Sequence, residues 1–463
     1  MSIVEQLEAA GEVFSPAVRA ALLALEARVR ELEARLGLDS TNSSKPPSTD
    51  PPGVLRRGKK PTGRKRGGQP GHPGAYRALL PSERVDAVVE HRPLSCDHCG
   101  HSLRSALQVH GWGRHQVVEL PPIRAHVTEH RLLVLACPAC ARHTRAHLPP
   151  QVSPKHFGPR LSALASLLIS RFRLSRRDLV AFFSDVLDVP APGLGTTERF
   201  ARESAAALRG TYQEIRGVVR RSPSARVDET GWSLRGKTRW LWASATEHAT
   251  LFHLGRSRSA RDLRRLLGRD YGGIVTSDRW SAYQIYPHRQ LCWAHLARNF
   301  EGLTLRGAPA LAFARAGVAE CTQLFHTWHQ WKSCGTSRED LALQLRPLRA
   351  RFARLLRRGL RSADSKVAAL ARHLHKHADA LWTFTCEEIE PTNNQAERAL
   401  RRAVLWRKGC FGSASGHGLI FVERLLTLSE TCRQNAVNVL DYLTRAIVAH
   451  REHHPAPCLL PAP

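Results

Sequence analysis

At 463 residues the chain is long enough for two or three domains with real cores, which excludes a wholly disordered or peptide-like protein. Lysine and arginine number 69 against 40 acids, and the resulting +29 points to a polyanionic partner, nucleic acid first. The opening MSIVEQLEAAGEV carries acids and lacks the apolar stretch of a secretory signal, and no apolar run approaches the roughly 18 residues of a membrane span. The sequence therefore reads as cytoplasmic, without a membrane partner.

Residues 1–38 read as a helical segment. Leu22, Leu25, Val29, Leu32 and Leu36 recur in steps of three and four, the spacing of an apolar seam. Over so few turns, a short coiled-coil dimer contact and a helix packed on its own chain both fit. Residues 39–81 turn to Ser, Pro, Gly and basic residues without periodicity, the composition of a linker or arm. Within it RRGKKPTGRKR (56–66) supplies Arg56, Arg57, Lys59, Lys60, Arg64, Lys65 and Arg66, a flexible run suited to displacing counterions from DNA phosphates.

Residues 82–150 hold two C-x-x-C pairs, Cys96 with Cys99 and Cys137 with Cys140. In a reducing compartment such pairs point to metal before disulfides, and four soft sulfur ligands favour closed, structural Zn²⁺. Between them HQVVELPPIRAHVTEHRLLVLAC reads as strands, so the segment is expected to be a zinc ribbon. Residues 151–221 read as helices interrupted by a Pro/Gly break, the last capped by Thr196 or Thr197, a pattern compatible with a helix-turn-helix-like DNA-binding region.

After Ser222 the pattern changes to strands. ARVDETGW places Asp228 at the end of a short apolar run, with Thr230 and Gly231 as turn residues, and RWLWASAT and TLFHL continue a meander. SARDLRRLLG reads as a helix, and GGIVTSDRWSAY as a strand ending at Asp278. The order β-β-β-α-β-α predicts an α/β ribonuclease-H-like sheet whose first and fourth strands are neighbours, bringing two carboxylates to one point. Clustered carboxylates repel, and divalent cations relieve that repulsion.

A third carboxylate comes from PTNNQAERALR (391–401). Pro391 sets up a helix start, Asn393 or Asn394 can cap it, and Glu397 falls near its first turn. A capping arrangement with ordinary helix charges also accounts for this spacing, and Glu387, Glu388 and Glu390 compete for the role. Helical patterning over 307–388 reads as an insertion within the catalytic domain. In CWAHLARNF, Cys292 and His295 could be two ligands of a zinc site, but no second pair follows; packing and support of the site is the favoured reading.

VDETGW, SDRWSAY, CWAHLARNF, NNQAERALR, WRKGCFGS and the early NSSKPPSTD and GGQPGHPG together resemble the insertion sequence 66 family of DDE transposases over nearly the whole chain. The resemblance implies that Asp228, Asp278 and Glu397 are the acidic triad, holding two Mg²⁺ or Mn²⁺ ions. One ion would activate water and then a DNA 3′-hydroxyl, and the other would stabilise the leaving oxygen. Arg298, Arg398, Arg401, Arg402, Arg407 and Lys408 lie where DNA contact is expected. The implied partners are the DNA of the element ends and of the target, a second copy in a dimer or larger synaptic complex, and accessory proteins encoded by the same bacterial element. The protein would then be nucleoid-associated when bound to DNA. The sequence departs from the family pattern at Arg279, Trp280 and Gly409, none of them in the triad.

The expected architecture is completed by a first catalytic segment at 222–306, a second with the Glu-bearing and C-terminal helices at 389–450, and a disordered tail at 451–463. Two rivals share much of this reading. A metal-dependent nuclease would cut without joining, and a DNA-binding regulator derived from a transposase would keep the front half with a silent catalytic domain.

Overall fold

The computed structural model describes residues 3–39, 42–43, 50, 77–103 and 108–460. The basic run expected to contact DNA, with Arg56, Arg57, Lys59, Lys60, Arg64, Lys65 and Arg66, lies outside them. Helix α1 (Ile3–Ala9) precedes α2 (Pro16–Leu36), which begins where the Ser15 hydroxyl accepts the Val18 N–H at 3.3 Å and Pro16 takes a position needing no donor. Leu25, Val29, Leu32 and Leu36 of the expected seam are exposed, so they do not pack on the chain's own core.

Among the described residues of the expected ribbon, the strands that pair are β1 (Val134–Ala136) and β2 (His143–Arg145), antiparallel, with a single antiparallel bridge between Ser95 and Ser102. The remaining strands predicted across 115–133 form no ladder. The tight turn at 137–142 folds β2 back onto β1, whereas Pro121 and Pro122 lack backbone donors and no turn returns the preceding segment to a partner.

Four helices follow: α3 (Pro159–Ser170), α4 (Arg176–Asp185), α5 (Leu194–Ala207) and α6 (Arg209–Arg221). Ser175 and Asp178 close a capping box at α4. Neither Thr196 nor Thr197 caps α5, which starts earlier, after Gly193; Thr197 is buried inside the helix and donates to the Leu194 carbonyl at 2.7 Å. These helices do not form a core of their own. Leu167, Phe183, Phe200 and Ile215 share one apolar core with the sheet and the last three helices.

The central sheet runs β5-β4-β3-β6-β7. Strand β3 (Ser224–Leu234) pairs antiparallel with β4 (Lys237–Ala245), and β4 with β5 (Thr250–Gly255). Thr230 and Gly231 lie inside β3, opposite Leu241 and Trp240; the hairpin turn is instead Arg235-Gly236, both with positive φ, as a primed two-residue turn demands. After α7 (Ala260–Leu267), β6 (Ile274–Ser277) lies parallel to β3, so the first and fourth strands of the sheet are neighbours, and β7 (Arg289–Leu291) lies parallel to β6.

Helix α8 (Trp293–Leu303) leads into three long helices, α9 (Ala308–Cys334), α10 (Arg338–Leu360) and α11 (Ser365–Lys376). They enclose a second core in which Trp293 and Phe300 of α8 meet Phe352, Trp382 and Phe384. The chain then returns as α12 (Asn394–Cys410), α13 (Gly416–Gln434) and α14 (Val439–Arg451). The described part of the expected disordered tail is packed. Leu459 and Leu460 are buried with both N–H groups on Glu214, and the Pro457 carbonyl accepts the Tyr442 hydroxyl at 2.6 Å.

Helix α9 approaches α8 at Gly317, where an added Cβ would stand 2.1 Å from the Phe300 ring. Gly317→Val should therefore force the two helices apart and lower unfolding free energy by about 2 kcal/mol, read from urea denaturation. Wild-type stability would mean the ring can move aside.

Candidate active site

The paired part of β3 and β6 ends at Arg226 opposite Thr276. Two residues further along each chain stand Asp228 and Asp278, so the parallel register itself sets them at the same level, at the carboxyl end of the parallel strands. Asp278 is fixed by the Trp280 N–H, which donates to Oδ1 at 2.8 Å.

The third element is held by its backbone. The Cys292 N–H donates to the Ser277 carbonyl at 2.8 Å, tying the start of α8 to the end of β6, and the Trp293 N–H donates to the Pro391 carbonyl at 2.9 Å. Asn393 sits at the cap position of α12, but its side chain caps nothing. Wholly buried, it donates from Nδ2 to the Val227 carbonyl of β3 and from its backbone N–H to Cys292 Sγ, both at 3.4 Å. The first turn of α12 is thereby fixed beside the two aspartates, and Glu397 lies on it. Glu390, a rival for the third acid, pairs with Lys332 at 3.0 Å, and Glu387 and Glu388 are exposed.

Electrostatics link the three. Burial pushes Asp228 well above the ordinary carboxylate range, and the charges of Glu229, Glu397 and Asp278 push it further. Asp278 is also raised by burial, against the Trp280 N–H and Arg258. Their oxygens do not close into one tight cluster; the one group of three metal-type side chains within 4.8 Å among the described residues is Cys292, His295 and Glu397. Arg298 Nη2 donates to Glu397 Oε1 at 2.9 Å, and His295 Nδ1 is 3.4 Å from the same oxygen. Burial, with Arg298, lowers the His295 ring to about 3, and burial raises the Cys292 thiol to about 12.

Glu229 was not foreseen from the sequence. It points to the opposite face of β3, is buried, and binds the Tyr283 hydroxyl and Arg258, whose guanidinium lies 3.8 Å from Asp278 and over the Trp280 ring at 4.3 Å. The alternation of a strand running through Glu229 was the available signal. Of the basic residues expected on DNA, Arg398, Arg401, Arg402 and Lys408 are exposed. Arg298 is engaged by Glu397, Arg402 by Glu430 at 2.8 Å, and Arg407 by the Gly231 carbonyl and the Thr230 hydroxyl at 3.3 Å.

Each C-x-x-C pair forms the same knuckle. Gly100 N–H returns to the Cys96 carbonyl and Ala141 N–H to the Cys137 carbonyl, both at 2.8 Å. The backbone N–H groups of Cys99 and His98 lower the Cys96 thiol, and those of Ala139 and Cys140 lower Cys137, which prepares thiolates for zinc. The two knuckles are not gathered into one ligand group.

Residues 194–419 match the family described as Transposase IS66 family, and residues 93–141 match the zinc-finger binding domain of transposase IS66. The chain belongs to the IS66 family of transposases. As an IS66 transposase it acts on DNA and carries a zinc-binding domain. Residues 3–78 match a further family of unknown function. Two relatives come from Sinorhizobium fredii. Uncharacterized protein y4hP is 24% identical over 413 residues, covering 80% of this chain and 73% of its own. Uncharacterized protein y4qI is 28% identical over 252 residues, 48% of this chain and 46% of the relative. No helix among the described residues of this IS66 transposase is long and apolar enough to cross a membrane.

If one zinc ion joins both knuckles, Cys99→Ser should abolish zinc-dependent protection of backbone amides in both 96–101 and 137–142. Loss confined to 96–101, measured by hydrogen exchange, would show that the pairs bind separately.

Proposed function

We propose that this IS66 transposase binds the ends of its element and performs metal-dependent strand cleavage and strand transfer in a ribonuclease-H-like core, with Asp228, Asp278 and Glu397 as a DDE triad. The observation that carries the reading is the convergence of two separate constraints. The β3–β6 register levels Asp228 with Asp278, and the buried Asn393 anchors the helix start bearing Glu397 to β3. An all-carboxylate donor set whose members raise Asp228 suits two hard divalent cations, Mg²⁺ or Mn²⁺. When bound, such a pair activates the attacking oxygen and stabilises the leaving one in an in-line displacement at phosphorus.

The chain's own residues supply the rest. Asp228 projects from within β3 and Asp278 from just beyond the end of β6, so the sheet sets their separation before DNA arrives. Arg258 pairs with Glu229 and reaches toward Asp278, offsetting part of the repulsion among the four acids. Arg398, Arg401 and Lys408 offer exposed positive charge for the DNA backbone, and Cys96, Cys99, Cys137 and Cys140 would close a structural Zn²⁺ site in the front domain. Joining two ends calls for a dimer or larger synaptic complex.

In a strand-transfer assay with labelled element ends and a supercoiled target, Asp228→Asn and Glu397→Gln should each lose about 100-fold or more of joined product while still binding DNA. Undiminished joining by either variant would remove that residue from the triad. Hydrolysed ends without joining in the wild type would reassign the protein as a nuclease. The double variant Arg398→Ala/Arg401→Ala should weaken binding uniformly across sequences and lower the slope of log affinity against log salt by about 2; an unchanged slope would place both residues off the DNA path.

A further inference from the structure

The triad leaves Cys292 and His295 without a task, although both are buried at its edge. Cys292 Sγ, a ring nitrogen of His295 and one carboxylate oxygen of Glu397 all lie within 4.8 Å of one another. The His295 side chain is only 10% exposed, and its Nδ1 has no hydrogen-bond partner, though it is aimed at Glu397 Oε1 from 3.4 Å. The adjoining Asn393, wholly buried, meets the His295 ring with its side chain. Buried polar atoms are normally satisfied, so an unpartnered ring nitrogen beside a thiol and a carboxylate points to a missing ligand.

The donors differ in kind from the triad. Sulfur, imidazole nitrogen and a single carboxylate oxygen form a set that prefers a soft or borderline ion over magnesium. The two helix starts that carry them are joined by the Asn393 N–H to Cys292 Sγ and the Trp293 N–H to the Pro391 carbonyl, so the three ligands are held together before any ion arrives.

We propose that Cys292, His295 and Glu397 form a site for one Zn²⁺ ion, separate from the cysteine knuckles, with water as fourth ligand. Loading breaks the Cys292 S–H bond and forms an S–Zn bond; the proton leaves to solvent, His295 Nδ1 gives its lone pair, and no electron is transferred. Arg298, which holds the same Glu397 oxygen at 2.9 Å, releases it. The consequence for activity rests on the triad reading. Zinc draws Glu397 toward Cys292 and away from the two aspartates, so it inhibits magnesium-dependent strand transfer, and the site makes the transposase zinc-sensitive.

The test titrates the full chain, its knuckles already loaded with zinc, with Co²⁺ and reads the near-ultraviolet charge-transfer band of a thiolate–cobalt bond. The expected result is one further equivalent with that band, absent in Cys292→Ser and at least about tenfold weaker in Glu397→Gln. No band in the folded wild type, or an unchanged band in Cys292→Ser, overturns the site. Should Cys292→Ser fail to fold, the partly exposed Glu397→Gln decides, and unaltered cobalt affinity there overturns it as well. The two readings fail separately. Normal strand transfer by Glu397→Gln with a cobalt band intact in the wild type removes the triad glutamate and leaves this site. Lost transfer with no cobalt band does the reverse.

Discussion

The site depends on how the chain re-enters the sheet after its long helical excursion. Helices α9 to α11 intervene between Asp278, just beyond β6, and the helix that bears Glu397, so nothing in local sequence holds those two carboxylates together. Asn393 does. Fully buried, it reaches the Val227 carbonyl, one residue before Asp228, and its backbone N–H meets the Cys292 thiol. A side chain that could have capped its own helix instead fastens that helix to the strand carrying the first aspartate. The backbone bond from Trp293 to Pro391 adds a second fastening, which leaves the first turn of α12 little freedom to rotate Glu397 away.

That rigidity has an electrostatic cost the protein must offset. Asp228, Asp278, Glu229 and Glu397 stand close enough for three of them to raise the fourth. Arg258 and Tyr283 satisfy Glu229, and Arg298 satisfies Glu397. Asp228, the most strongly raised, has no such cation beside it, which is where positive charge from outside would act most strongly. The large positive excess elsewhere lies on the surface and draws the phosphate backbone in, while the site itself is acidic. Positive charge on the surface and the acidic cluster thus occupy different regions.

Much of this was legible in the sequence because it follows from period and punctuation. Alternation located β3 to β6, and the strand order fixed which two strands would be neighbours. The excursion over 307–388 showed its helical spacing plainly. Misreadings arose where tertiary partners overrode local preference. Thr230-Gly231 looks like a turn, yet Leu241 and Trp240 pair with it, and the positive-φ Arg235-Gly236 turns the chain instead. The segment 115–133 has strand composition, but Pro121 and Pro122 and the lack of a returning turn leave it unpaired. The tail was expected to be disordered, yet Leu459 and Leu460 are buried with their N–H groups on Glu214. Charge alone could not reveal the carboxylate and the carbonyl that Arg402 and Arg407 meet within the chain. The grouping of Cys292 and His295 with Glu397 was hidden for the same reason: two ligands were visible as an i, i+3 pair, and the third arrives from another helix.

The most direct test of the central claim is the anomalous scattering of Mn²⁺ in crystals of the full chain bound to an element end. The account predicts two manganese peaks ligated by Asp228, Asp278 and Glu397. Manganese bound elsewhere, or at a site that omits Glu397, would contradict it.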